Sequence, residues 1–198
     1  MASAAQHIDL MRHAQDESAR ATHAYHPRPN SPLTERGIQQ ARAAATALAT
    51  DYVGIVYSPL LRAKQTARVI SHVSGIPVLT KMSALREWQP PSCVYGKTPA
   101  EYDEDYRTWR YARTQDPALA YQDGESLLDL HTRAATAIVG LRLLAQRAGP
   151  LLVISHKVLL GVIAAHDDGP VHAFQRATAE TWPHCATRTL TIRATEER

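Results

Sequence analysis

Apolar positions recur along the chain with two periods, and the two alternate. Short apolar runs occur at residues 7–11, 54–57, 77–79 and 151–154. Their length and bounding turn residues predict strands at about 7–12, 54–58, 77–79 and 151–155. Elsewhere apolar residues return every three or four positions. Ile38, Ala41, Ala45 and Leu48 form one helical face, with Thr34 as N-cap and Glu35 at the positive end of the helix dipole. Ala63, Ala67 and Ile70 mark a second helix after Pro59, closed by Gly75-Ile76-Pro77. Leu127, Leu130, Ala134, Ala137, Leu141 and Leu144 mark a long helix between Gly124 and Gly149-Pro150. Another helix is predicted over about 157–166 and a last strand within Cys185–Ala194. Strands that alternate with helices predict an α/β fold. The run at 151–155, apolar on consecutive positions, suits a central parallel strand covered on both faces.

Two stretches break this rhythm. Residues 15–32 read as a polar loop rich in His and Pro. Residues 88–123 are interrupted at Pro90-Pro91, with a short helix predicted near Thr98–Ala112 that carries Tyr102, Tyr106 and Trp109. This second stretch reads as an excursion over the sheet edge. Its aromatic residues could wall a pocket or pack against their own support, and the sequence favours neither. No internal repeat or domain boundary is visible, so residues 1–198 read as one domain.

In an open parallel sheet the functional site lies beyond the carboxyl ends of the strands. Here each strand end carries chemistry. The first leads into Arg12-His13, the second into Ser58-Pro59-Leu60-Leu61-Arg62, the third towards Leu85-Arg86-Glu87, and the fourth into Ser155-His156. A neutral imidazole can attack phosphorus and carry the phosphoryl group covalently. A guanidinium presents a planar fork to phosphate oxygens. Arg62 falls at the start of a helix, where backbone N–H groups already favour an anion. A carboxylic acid such as Glu87 can protonate a leaving alkoxide. Taken singly, each residue has an ordinary alternative: a solvated arginine, a surface glutamate, or a core histidine held by a carbonyl.

Composition narrows the picture. Twenty-two basic residues against 19 acidic ones give a net charge of +3. With no Lys/Arg block, neither nucleic acid nor a membrane surface is expected as a partner. A basic pocket for a small anion fits as well. Cys93 and Cys185 are the two cysteines, too few for a disulfide framework. Residues 1–6 lack a basic and apolar leader pattern, so a cytoplasmic protein is expected. The ten histidines are scattered. Pairs such as His23 and His26 read as loop residues rather than metal ligands.

Ordered blocks then carry a resemblance. Leu10-Met11-Arg12-His13-Ala14 resembles the Arg-His-Gly signature of the histidine phosphatase superfamily, the phosphoglycerate mutase-like family. Ser31-Pro32-Leu33-Thr34-Glu35-Arg36-Gly37 with Gln40-Ala41, and Ser58 through Ala67, are similar to its next two blocks. Leu85-Arg86-Glu87, Gly124-Glu125-Ser126 and Val153-Ile154-Ser155-His156 follow in the family's order. The resemblance implies a three-layer α/β/α fold with a mostly parallel central sheet. It implies His13 as phosphorylated nucleophile, Arg12, Arg62 and His156 as phosphoryl ligands, and Glu87 as the acid that later activates water. It implies neither a metal nor an organic cofactor, and a small phosphomonoester as substrate.

The chain also departs from the family pattern. Ala14 replaces a glycine, which is tolerable unless the backbone needs φ > 0. Residues 15–19 lack the family's usual polar phosphate-contacting residue. Lys157 replaces the glycine after the second histidine; it could bind substrate, point away or obstruct the pocket. Residues 88–96 differ from the family where the leaving group is expected. A metal-independent phosphatase is the leading expectation. A phosphoglycerate mutase-type phosphotransferase and a catalytically impaired regulatory or binding protein are the alternatives. The sequence is silent on the oligomeric state.

Overall fold

The structure, a computed structural model, describes residues 7–20, 30–48 and 51–190. In chain order its main elements are β1 (Ile8–Arg12), α1 (Glu35–Ala47), β2 (Gly54–Tyr57), α2 (Leu61–Ser74), β3 (Val78–Lys81), α3 (Glu104–Ala112), α4 (Leu127–Ala148), β4 (Leu151–Ser155), α5 (Lys157–Ala164), α6 (Pro170–Ala179) and β5 (Thr187–Leu190). The sheet order is β3-β2-β4-β1-β5, parallel except for β5, which runs antiparallel to β1. The expected α/β fold with a mostly parallel sheet is therefore present.

Strand alternation sorts the core into two halves. Ile8, Leu10, Val56, Leu151 and Val153 face α4, α5 and α6. Met11, Ile55, Leu152 and Ile154 face α1 and α2. Successive side chains of a strand point to opposite faces, so a central strand such as β4 must be apolar throughout. All five of its residues are buried. The sheet thus lies between two helical layers.

The caps follow the sequence. Thr34 accepts from the Gly37 N–H at the start of α1. Ser126 and Asp129 form a capping box at the start of α4. The helix expected over 98–112 divides in two. A short 3-10 turn spans Pro99–Glu101 under its own capping box, and Asp103 then caps α3 by accepting from the Tyr106 N–H. A second strong N-cap, five residues after the first, restarts the helix.

Three further differences concern the C-terminal third. The helix expected over 157–166 ends at Ala164 and gives way to a 3-10 turn at His166–Asp168. The helix α6 has no counterpart in the sequence reading, although Gly169-Pro170 is a start signal. The last strand covers 187–190, and residues 191–194 of its expected range lie outside the described residues, as do His23 and His26.

The aromatic residues of 88–123 support one another. Tyr106 stacks on Trp109 at a centroid distance of 5.3 Å and meets Tyr102 edge-on at 5.0 Å. All three are buried in the core beside α4. Packing, rather than walling a pocket, accounts for them. Among the described residues no helix is long and apolar enough to cross a membrane.

Candidate active site

β1, β2 and β4 are adjacent and parallel, so their carboxyl ends converge. Arg12 ends β1 and lies opposite Ser155 at the end of β4. His13 and His156 each follow their strand by one residue, and their rings come within 5.0 Å of each other. β2 delivers Ser58 and then α2, whose second residue is Arg62. Both histidines and Arg62 are buried, while Arg12 is half-buried.

The His13 ring is fixed by two bonds. Its Nδ1–H donates to the Ala14 carbonyl at 2.7 Å. Because a carbonyl only accepts, this bond places the proton on Nδ1 and the lone pair on Nε2. Arg62 Nε–H donates to that Nε2 at 3.2 Å. Burial, then the Arg62 charge, hold the imidazole well below its usual pKa range, so the ring is neutral at pH 7. His156 is displaced in the same direction by the same leading causes. Its Nε2 shares a 2.7 Å hydrogen bond with Ser58 Oγ. Its Nδ1 is buried and has no hydrogen-bond partner among the described residues, and the same holds for Arg12 Nε.

Glu87 reaches this group from another direction. Its Oε1 accepts from the backbone N–H groups of Trp88 and Leu159 at 2.9 Å, and its Oε2 accepts from Val158 N–H at 3.2 Å. Val158 and Leu159 lie in the first turn of α5, so the carboxyl group is docked on that helix N-terminus. Its charge acts on both Arg12 and Arg62. All five residues expected at the strand ends therefore meet in one place.

Lys157 does not join them by a bond. Its Nζ donates to the Thr178 carbonyl near the end of α6, at 2.9 Å. Ala14 is buried, and positive φ among the described non-glycine residues occurs at Gln122 and Cys185, so alanine there is unstrained.

Several site residues escape a reading of strand ends. Asp16 is buried, with Oδ2 lying 3.9 Å from Arg62 Nε and accepting from Ser18 Oγ at 2.8 Å. Thr66 Oγ1 accepts from Ala14 N–H, Gln40 Oε1 from Gln15 N–H, and Gln65 Oε1 from Leu33 N–H. These bonds fix the chain that leaves His13. Gly37 allows the close approach of α1 to the same chain, because a Cβ there would stand 2.0 Å from the Gln15 carbonyl oxygen. Arg133 grips the acid-bearing segment. Its guanidinium pairs with Glu125 at 2.7 Å through two nitrogens and donates to the carbonyls of Ala84, Arg86 and Glu87. The segments around Thr34–Gly37, Gln65-Thr66 and Gly124–Ser126 thus brace the chain around His13 and the segment that carries Glu87.

A model of the histidine phosphatase superfamily (branch 1) matches residues 8–196. The chain belongs to that family. Among curated relatives of this chain, one from Enterobacter sp. (strain 638), named "Probable phosphoglycerate mutase GpmB", is 31% identical over 174 residues, 85% of this chain and 78% of the relative. The structure of a mycobacterial glucosyl-3-phosphoglycerate phosphatase complexed with VO3 superposes with a TM-score of 0.74 at 24% identity, covering 94% of this chain and 93% of that one. An alpha-ribazole phosphatase from Shigella flexneri superposes with a TM-score of 0.70, also at 24% identity, covering 85% and 83% of the two chains. At these identities the structural likenesses establish the phosphoglycerate mutase-like fold.

Proposed function

We propose that the protein is a metal-independent phosphatase that hydrolyses a small phosphomonoester through a phosphohistidine at His13. One observation carries this reading. Next in sequence to His13 and across from its ring, Arg12 and His156 each keep a buried nitrogen, Arg12 Nε and His156 Nδ1, without a partner among the described residues. A buried donor left unbonded costs about 1–3 kcal/mol. A phosphoryl group with its phosphorus at Nε2 would offer oxygens to both. If Ser58 Oγ–H donates to His156 Nε2, then Nδ1 carries the proton such an oxygen requires.

The chemistry follows in two steps. Arg62 Nε–H leaves Nε2 for a phosphoryl oxygen, Nε2 attacks phosphorus, the P–O bond to the leaving group breaks, and protonated Glu87 gives its proton to the departing oxygen. Water then attacks the phosphohistidine, Glu87 takes a proton from it, the P–N bond breaks, and inorganic phosphate leaves. Arg12 and Arg62 hold the charge of the phosphoryl oxygens throughout. Glu87 can act in both steps because Oε2 accepts one long backbone bond and keeps lone-pair capacity for a proton. A binding protein without catalysis has no need of this acid beside the other four groups.

The names of the sequence relatives support a second reading, phosphoryl transfer between phosphoglycerates. In a mutase the phosphohistidine passes to a second substrate rather than to water, and activity depends on a bisphosphate primer. Phosphate release from a panel of metabolites and from p-nitrophenyl phosphate, with EDTA and without primer, separates the two. Release under those conditions is the result expected. Loss on chelation with recovery on adding a divalent ion would overturn the metal-independent mechanism, and strict primer dependence would favour the mutase.

A further inference from the structure

The segment Trp182–Ala186, between α6 and β5, is tied to the nucleophile dipeptide from both sides. Arg12 N–H donates to the Ala186 carbonyl at 3.3 Å, and Cys185 N–H donates to the Arg12 carbonyl at 2.9 Å. Arg12 Nη1 donates to the Trp182 carbonyl at 2.7 Å. The Trp182 indole N–H closes the turn on the Ala186 carbonyl at 2.9 Å. Within this loop, His184 Nδ1–H donates to the carbonyl of His13 itself, at 2.9 Å. Its ring lies 5.5 Å from the His13 ring.

The backbone is bent to achieve this. Cys185 holds φ at 60°, in the left-handed region that L-residues other than Gly, Asn and Asp seldom adopt. Its N–H bond to Arg12 and the neighbouring His184 bond to His13 lie on the two sides of that bend. Such a conformation persists only where surrounding contacts over-determine it.

We propose that His184 is a positioning residue for phosphoryl transfer at His13, holding the nucleophile's main chain so that the ring keeps its Nδ1–H bond to Ala14. The inference rests on the phosphatase reading above. The role needs one donor at one place. Because a carbonyl accepts, the His184 bond puts the proton on Nδ1, and Nε2 takes no part in it. Burial first, then Arg12, hold this ring below its usual pKa. The charged and titratable groups acting on it are Arg12 and His13 from β1 and its end, Asp16 from the following loop, and Arg36 from α1. Since Nδ1–H is present in both the neutral and the protonated ring, the positioning bond survives across the working pH range.

Asparagine tests this directly. Its amide nitrogen stands two bonds beyond Cβ, as Nδ1 does in histidine, whereas glutamine places the donor one carbon further out. With p-nitrophenyl phosphate as probe, His184→Ala is expected to lower kcat by about two- to tenfold, the worth of one neutral hydrogen bond, with KM little changed. His184→Asn is expected to restore kcat to within about twofold, and His184→Gln is expected to leave it low. A second measurement does not need turnover: 15N spectra of the His13 ring should show one tautomer, protonated on Nδ1, in the wild type and in His184→Asn, and a mixture in His184→Ala. Wild-type kcat and an unchanged His13 spectrum in His184→Ala would overturn the proposal, as would failure of His184→Asn to rescue either signal. If the wild type turns over no phosphomonoester, the phosphatase reading fails, and the spectra alone decide the role of His184.

Discussion

Asp16 places a negative charge inside a site proposed to bind an anion, and Asp16→Asn separates the two consequences. Its carboxylate lies 3.9 Å from Arg62 Nε, with both side chains almost wholly buried. Two unit charges at that distance attract by about 4 kcal/mol at an effective dielectric near 20. Desolvation offsets part of this, yet removing one partner of a buried pair typically destabilises by about 3–5 kcal/mol. Asparagine can keep the 2.8 Å bond with Ser18, and Glu87 still acts on Arg62, so the low end, about 3 kcal/mol, is expected. Binding should move the other way. A phosphoryl group on the far side of the guanidinium, about 7 Å from Asp16, escapes a repulsion of about 2 kcal/mol per unit charge at the same dielectric. Inorganic phosphate should therefore bind Asp16→Asn at least about tenfold more tightly. Thermal melts across a phosphate titration read both effects, since a ligand stabilises by RT ln(1 + [L]/Kd). The variant should melt lower without phosphate and close the gap as phosphate rises. Equal melting temperatures together with equal or weaker phosphate binding would refute the reasoning.

Glu87→Gln cannot donate a proton, so it should slow turnover of alkyl phosphates far more than of aryl phosphates, whose leaving groups need little protonation; equal losses would assign Glu87 to structure alone. Arg133→Met removes the clamp on residues 84–87 and should lower kcat for alkyl esters by about tenfold or more with KM little changed; a pure KM effect would contradict a positioning role. His13 and His156 have folded-state pKa values well below those of the unfolded chain, so the unfolded chain binds more protons below about pH 6.5, and stability drops as the pH is lowered through that range. Each histidine contributes a slope of up to about 1.4 kcal/mol per pH unit. Urea titrations between pH 5 and 8 should show the slope reduced in His156→Asn; an unchanged slope would contradict the assignment.

The gathering of Arg12, His13 and His156 follows from their places at the ends of apolar runs, because parallel strands bring such ends together whatever lies between; Arg62 and Glu87 arrive by the segments that follow β2 and β3. The supports were harder to read. Arg133 and His184 donate to backbone carbonyls, and Asp16 faces a guanidinium, of residues 47, 171 and 46 positions away in sequence, and no local period marks such contacts. Lys157 shows the limit differently. Its position next to His156 left binding substrate, pointing away and obstructing the pocket all open, and the bond that orients it comes from α6, whose Thr178 carbonyl accepts from its ammonium. Pro170 at the first helical position and buried Ala173, Phe174 and Ala177 were available signals for α6, spread over only ten residues. The excursion was read correctly as irregular, but which of its polar residues would restart a helix depended on Asp103 meeting the Tyr106 N–H.

Rapid quenching of the protein with 32P-labelled substrate tests the central claim most directly. An acid-labile, base-stable label is expected that maps to His13, forms in EDTA, and is absent from His13→Ala. Label on another residue, or turnover of the wild type with no trapped phosphohistidine in a substrate analogue series that slows the second step, would contradict it.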